Sequence, residues 1–530
     1  MLSQKLYTLR FAALGLALLF TSCSSKPVDV RTVLPSDALV YLETRDLGLA
    51  IRAITENEKF VSLAKTAPDL TYLNRIEIGI AVTGFETSEQ KITEENSILN
   101  FQPRFVAAVE TRLWNFQAVA FTEERLGAFI NDVYGGEVLL ESSEKHGGKY
   151  YVWTSDDGRK AFGLVLGSLI LFGNDESALE KCLAVKRGEA ESIAVNPRIS
   201  KANGNLAFGY VSSDGVAQIS NLAGISLAKQ AGEDGEVQSF IARVLPELLR
   251  NSLQEMTWTA SKSEHGIEDR YDITTSPEVA TVFSETMNKG QGNIDGFAPF
   301  LKQASEAVTR YNISDPRIAW RSVLLTVQKQ TDPLAGSLIA GFADSLFEPY
   351  GVENAELFLA SVGSQIITVR YSGSEPKQIV LAESRDLEGI KRSVAKEVGS
   401  TRPPERIMDA DVWRSEDGEL ALILVDGKVV LGDPEAALRC LEHYRSGPDP
   451  KHALALEPLN SSNATAVTSG TDAETALGVV KVISEPKEPD RFITQSFVTE
   501  TRLTKKGIER RTISDYGMIG TLISQFAVPE

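Results

Sequence analysis

Residues 152–171 (VWTSDDGRKAFGLVLGSLIL) lie over residues 412–431 (VWRSEDGELALILVDGKVVL) without a gap, and ten of the twenty positions are identical. These are Val152, Trp153, Ser155, Asp157, Gly158, Ala161, Leu164, Val165, Gly167 and Leu171; chance would give roughly one or two. With two residues dropped, the match continues from 175–183 (DESALEKCL) to 433–441 (DPEAALRCL). Further on, 261–276 (SKSEHGIEDRYDITTS) echoes 502–514 (RLTKKGIERRTIS), and upstream 122–136 follows the pattern of 384–399. The blocks keep the same order in both halves, so the chain reads as a duplication. Two units of about 240 residues are each large enough to bury a core.

Each copy reads as hairpins interleaved with helices. Apolar strands at 105–111 and 366–371 precede an amphipathic helix. Its apolar face is Leu126, Phe129, Ile130 and Val133 in copy one and Leu387, Ile390, Val394 and Val398 in copy two. Gly135 and Gly399 are expected to end these helices in left-handed conformation. A three-stranded meander follows. Asp157-Gly158 and Asp417-Gly418 are expected as type I′ turns, which need φ > 0 at both central residues. Gly167-Ser168 and Asp426-Gly427 make the second turn. Asp175 and Asp433 stand where N-caps belong, with Pro434 at the first helical position. A last hairpin turns at His265-Gly266 or Lys506-Gly507 and leads into a helix over 277–288 or 515–526.

The fold class is α+β: two homologous, duplicated units, each an antiparallel sheet with packed helices. Copy one occupies 37–287 and copy two 297–528, with the Gly-rich, polar stretch 288–296 (NKGQGNIDG) as linker. Copy two is expected to open with two helices. One covers 297–311; the other, capped by Asp332-Pro333, carries the stripe Leu334, Leu338, Ile339, Phe342 and Leu346.

Residues 1–22 read as a signal peptide, with Lys5 and Arg10 before the apolar run 11–20 (FAALGLALLF). Ten residues span about 15 Å as a helix, half a bilayer core, so this is not a membrane span. Leu19-Phe20-Thr21-Ser22-Cys23 resembles a bacterial lipobox, with Phe20 where leucine is commoner and Ser24-Ser25 after the cysteine. The resemblance implies cleavage before Cys23, acylation of its thiol and new amine, and residence at the outer membrane facing the periplasm. Two or three acyl chains anchor stably where one is marginal. Residues 23–36 are polar with two prolines and read as a lipidated tether. The stretch 33–41 (VLPSDALVY) resembles the opening of an uncharacterised family of bacterial secreted proteins, with a leucine-proline-x-aspartate entry before the first strand and repeated α+β units. That family has no assigned activity.

Lys and Arg number 54 against 72 Asp and Glu, a net charge of −18. Removing the first 22 residues takes away two cations and no acid. Such a surface repels phosphate backbones and anionic headgroups, so no nucleic-acid partner is expected, and membrane contact is expected through the lipid anchor alone.

The motifs of common chemistries are missing. There is no G-x-S-x-G elbow and no P-loop, and Gly290-Gln-Gly292 lacks the third glycine of a dinucleotide fingerprint. His146, His265, His443 and His452 have no zinc-site spacing. Asp156-Asp157-Gly158 is followed by Lys160 and Phe162, which cannot ligate calcium. Glu264, Glu268, Asp269 and Asp272 crowd one hairpin and read as a solvated charged face; the matching hairpin of copy two is basic, with Lys505, Lys506 and Arg510. Cys182 and Cys440 occupy equivalent helix positions and read as buried thiols, with a disulfide between the copies as the alternative. Trp153 and Trp413 read as core anchors. The sequons at Asn312 and Asn463 carry no weight behind a bacterial lipobox. No catalytic, cofactor-binding or metal residue is singled out, no cofactor is expected, and Cys23 is the one assigned site, for lipidation.

What the copies share is turn glycine and aspartate, aliphatic residues, a tryptophan and a cysteine, which specify turns and packing. The chain therefore reads as a lipid-anchored cell-envelope protein, a non-catalytic binding or structural module with an unidentified protein or small-ligand partner. The alternative is a carboxylate-dependent envelope hydrolase acting on glycan or peptidoglycan. It requires two acids roughly 5–10 Å apart in a cleft, one with a raised pKa. A third reading, an assembly factor, requires a large exposed apolar patch.

Overall fold

The computed structural model describes residues 27–527 apart from 92–96, 137, 231–234, 291–293, 302–305, 372–376, 397, 400–402, 448–456, 461–462, 473 and 488–493. The signal peptide and Cys23 lie outside the described residues. The fold is α+β, and every strand pairing given below is antiparallel. The chain divides into two compact units, residues up to 50 with 70–206, and 51–69 with 207–530.

Unit one holds β1 (Val40–Thr44), β2 (Glu77–Lys91), β3 (Ser97–Glu110), β4 (Leu139–Lys145), β5 (Gly148–Thr154), β6 (Lys160–Leu166) and β7 (Leu169–Gly173). Their pairing order is β1-β2-β3-β7-β6-β5-β4. Both faces of the central strands are covered, which is why β6 and β7 are nearly continuous apolar runs. One face buries Tyr151, Trp153, Ala161, Val165 and Ile170 against Ala118 and Ile130 of a helical run over 115–134. Helix Glu176–Lys186 buries Ala178, Leu179, Cys182 and Leu183, its N-terminus capped by Asp175, which accepts from Ser177 N at 3.0 Å.

The segment read as a tether is folded from residue 27 onward. Asp29 caps a 3-10 turn, Val30–Thr32, and Val30, Val33 and Leu34 are buried. Gly79 of β2 lies so close beneath them that a Cβ there would meet Leu34 Cδ1 at 2.8 Å. The apolar Val30/Val33/Leu34 spacing is the signal that the polar composition masked.

Unit two holds β8 (Ala207–Val211), β9 (Leu253–Ser263), β10 (Gly266–Thr275), β11 (Ala307–Asn312), β12 (Val362–Tyr371), β13 (Lys377–Ser384), β14 (Glu405–Ile407), β15 (Ala410–Arg414), β16 (Ala421–Val425), β17 (Lys428–Gly432), β18 (Ala466–Asp472), β19 (Gln495–Thr504) and β20 (Gly507–Ser514). They pair in the order β8-β9-β10-β20-β19-β18-β11-β12-β13-β17-β16-β15-β14. Ile367, Ile379 and Leu381 pack on Ala436, Ala437, Cys440 and Leu441 of helix Pro434–Arg445. The alternate residues Val380 and Ala382 pack on Phe358 and Ile390 from helices Ala355–Ser361 and Leu387–Ser393.

Several local expectations are corrected. The stretch 297–311 is not a helix. Pro299 permits only the 3-10 turn Ala298–Phe300, and the alternation of Val308, Arg310 and Asn312 makes β11. The strand that precedes helix Leu387–Ser393 is β13, one strand later than 366–371, which belongs to β12. Part of the expected linker is docked: Ile294 is buried, and its N–H donates to Asn460 Oδ1 at 3.1 Å. Phe129 and Val133 are 41% and 47% exposed. A π-helical turn, Thr122–Leu126, takes in an extra residue and rotates the stripe that follows it. Gly135 does end its helix at φ 74°, whereas Gly399 follows a helix that already stops at Ser393 and keeps a negative φ.

At Asp157-Gly158 only Gly158 has positive φ, 84°, and its N–H bonds Ser155 O at 2.9 Å, a type I turn with a glycine bulge. The type I′ pattern, both central residues positive, appears at Asp426-Gly427, His146-Gly147 and Met408-Asp409. The first turn also differs in length between the halves. Ser155 N bonds Arg159 O, but Ser415 N bonds Leu420 O, so Trp153 faces Ala161 while Trp413 faces Leu422.

Candidate functional site

Every second residue of a strand shares a face, which puts Glu43 on the same buried side as Tyr41. Arg31, from the N-terminal turn, reaches Glu43 with Nε to Oε2 at 2.7 Å and with Nη2 to Oε1, and also donates to Ala202 O at 2.6 Å. Tyr41 donates to Glu43 Oε2 at 2.6 Å. Arg31 and Glu43 side chains are 3% and 4% exposed. Burial opposes the Arg31 charge, but the bond and charge of Glu43 outweigh it and raise the Arg31 pKa. Burial and then Glu43 raise that of Tyr41.

Next to this cluster, Glu77 of β2 stands directly opposite Glu110 of β3. Opposed Cβ atoms in such a pair are about 4.5–5.5 Å apart. Glu110 is fully buried and accepts from Val28 N at 3.0 Å, Arg112 N at 2.8 Å and Ser168 Oγ at 3.1 Å. Glu77 is 7% exposed, and its Oε1 is buried without a hydrogen-bond partner. Burial raises the Glu77 pKa and Asp29 adds to it, against Arg45 and Arg112. A facing pair of glutamates, one member inclined to hold a proton, has the residue types that a glycosidase uses. Both members are enclosed, however, and both Glu110 oxygens are occupied by the protein's own donors.

In unit two the acidic hairpin is not a solvated face, which corrects the expectation for Glu268 and Asp269. Both are buried, at 7% and 2% exposure, while Glu264 and Asp272 are exposed. Ile267 and Asp269 share the inward parity of β10. Asp269 accepts from Trp258 Nε1 at 2.8 Å and from Met518 N at 2.8 Å, capping helix Gly517–Ser524. Burial pushes its pKa up to about 6, against those two hydrogen bonds. Glu268 accepts from Arg511 Nη2 at 2.6 Å and from Arg270 Nε. Burial opposes its charge, yet the two guanidinium groups hold its pKa below the ordinary value. Unit two also buries Arg310 completely on β11, where burial lowers its pKa.

The other residues singled out in the sequence are scattered. His146 and His265 are exposed in turns, His443 is half-buried and His452 lies outside the described residues. Cys182 and Cys440 are free and buried, so there is no disulfide between them; burial pushes their thiols up to about 12 and about 11. Trp153 and Trp413 are core residues at 1% and 5% exposure. Among the described residues no group of three or more His, Cys, Asp or Glu could hold a metal ion. Likewise, no helix among them is long and apolar enough to cross a membrane. The carboxylates that matter, Glu43, Glu77, Glu110 and Asp269, were missed because acids are expected at the surface. The available signal was an acid on the same strand parity as buried apolar residues.

No family model and no curated protein matches the chain. Two solved structures overlap part of it, crystal forms I and IV of TP0453. Identity is 14% in each, covering 47% and 49% of this chain and 79% and 86% of theirs, with TM-scores of 0.25 and 0.24. A likeness of that size carries no argument about this chain.

Proposed function

We propose that this chain is a lipid-anchored cell-envelope protein, held at the outer membrane facing the periplasm through Cys23, and that it acts as a non-catalytic binding or structural module built from one α+β unit written twice. Support for the doubling comes from the strand order: β11-β12-β13-β17-β16-β15-β14 repeats β1-β2-β3-β7-β6-β5-β4. It comes also from β10 and β20, which pair so that Arg270 faces Arg511, its own equivalent in the matched segments. Equivalent strands meeting antiparallel with equivalent residues opposed are what a two-fold relation between copies leaves behind.

The observation that carries the non-catalytic reading is the enclosure of the acid pair. Glu77 and Glu110 face one another across the ladder and Glu77 has the raised pKa of a carboxylate hydrolase's acid, but neither touches solvent enough to meet a glycosidic bond. The test is turnover of peptidoglycan and chromogenic glycosides by the mature chain, alongside Glu77→Gln. No turnover by either is expected. Turnover by the native chain that Glu77→Gln abolishes would overturn this proposal in favour of the hydrolase.

A further inference from the structure

One exposed aromatic loop of unit one shares a buried carboxylate with Val28, five residues after Cys23. Cys23 is five residues from Val28, and five residues reach at most about 18 Å fully extended. Val28 is not free to wander, because its N–H donates to Glu110 Oε2 at 3.0 Å, and the other oxygen of that buried carboxylate accepts from Arg112 N at 2.8 Å. Two residues beyond Arg112 comes Trp114, 55% exposed, followed by Phe116, 70% exposed, in the first turn of helix Asn115–Phe121. The loop that presents them is stiff. Thr111 is buried and bonds Ser168 O through both N–H and Oγ1, Arg112 is fixed at φ 56°, and Trp114 N donates to Gln117 Oε1 at 3.1 Å.

We infer that Trp114 and Phe116 enter the headgroup region of the bilayer that holds Cys23, so that unit one rests on the membrane through the loop 111–116. This rests on the lipidation proposed above. The occupant follows from covalent reach: chains acylated at Cys23 keep Val28, and with it the Glu110 carboxylate and the loop, within a short distance of the lipid surface. Tryptophan at an interface places its indole among the headgroups, and phenylalanine adds apolar burial. The net negative charge of the chain disfavours electrostatic adsorption, but apolar insertion beside a covalent anchor does not depend on it. Locally the exposed cation Arg112 flanks the aromatics, while Asp29 lies within 3.8 Å of Arg45. The loop thus amends the expectation that the anchor is the membrane contact by itself.

Trp114 is the exposed reporter of the five tryptophans, since Trp153, Trp258 and Trp413 are buried at 1%, 4% and 5% and Trp320 is half-buried. The test uses the full chain purified from membranes and reconstituted into phosphatidylethanolamine and phosphatidylglycerol vesicles, with or without brominated acyl chains. Brominated lipid is expected to lower the emission of the native chain and leave that of Trp114→Ala unchanged. In a Trp114→Phe, Phe116→Trp chain the quenching is expected to persist, which separates loop placement from any loss of folding. Equal quenching in native and Trp114→Ala chains, or none in either, overturns the inference. Intact mass read on the same samples separates the two ideas. An acylated Cys23 without Trp114 quenching sinks the membrane loop and spares the anchor; an unacylated Cys23 sinks both.

Discussion

Asp269 shows how a carboxylate becomes part of a scaffold. It sits inward on β10, joins Trp258 to the first turn of helix Gly517–Ser524, and keeps a pKa pushed up to about 6 by burial. A carboxyl whose folded pKa lies above its unfolded value binds its proton more tightly when folded. Its stabilising contribution is full below the unfolded value near 4 and is lost as pH rises through about 6. The native chain is therefore expected to lose on the order of 2–3 kcal/mol from this group between pH 4 and pH 7. Urea midpoints of Asp269→Asn, measured over that range, should vary less with pH than those of the native chain. An unchanged pH dependence would mean that Asp269 ionises as an ordinary surface acid. Strand parity is the signal in the sequence that places this residue inward, as it does Glu43 beside Tyr41, and reading the hairpin as a solvated face overlooks it. The partner across the ladder was not readable: nothing in the chain near Glu77 announces Glu110, thirty-three residues on, because register is a long-range property.

Turns and caps were the elements most open to sequence reasoning, because their chemistry is local. Asp175 and Asp433 cap helices as their positions demand, and the turns fall where expected, but Asp157-Gly158 and Asp417-Gly418, expected as type I′, have positive φ at the glycine alone. Composition misled where burial was carried by a few residues. The polar segment after Cys23 folds on Val30, Val33 and Leu34, and 297–311 is split by Pro299 into a turn and a strand. Glycine is used in two distinct ways. Gly432, at φ 136°, lies where a Cβ would meet Gln378 O at 2.3 Å, whereas Gly158, at φ 84°, faces open space. Gly432→Ala combines backbone strain with a clash against β13 and is expected to cost about 3 kcal/mol or more, and Gly158→Ala about 1 kcal/mol. Equal shifts in thermal unfolding for the two would contradict the close packing of β17 on β13.

At the scale of the whole molecule, the proposed doubling is a repeated pairing order, β1-β2-β3-β7-β6-β5-β4 and β11-β12-β13-β17-β16-β15-β14, with different decoration in the two halves. Between β8 and β9 the chain inserts two long helices, Ser213–Gln230 and Gly235–Ser252, where among the described residues only the helix Glu474–Ile483 lies between β18 and β19. The proposed doubling has its centre at the β10–β20 seam within unit two, with Arg270 opposite Arg511 and, two places away, Asp272 opposite Glu509. Asp272 and Glu509 are both exposed, and directly opposed Cα atoms lie about 4.5–5.5 Å apart, within disulfide reach. The resident thiols Cys182 and Cys440 are buried and do not compete, and a chain begun after Cys23 carries no other cysteine. Oxidation of an Asp272→Cys, Glu509→Cys chain is therefore the most direct measurement of how the two copies are joined. Rapid intramolecular cross-linking of that pair, with little in Asp272→Cys, Arg511→Cys, is the expected result. Preferential cross-linking of the second pair, or of neither, would contradict a seam in which equivalent residues face one another.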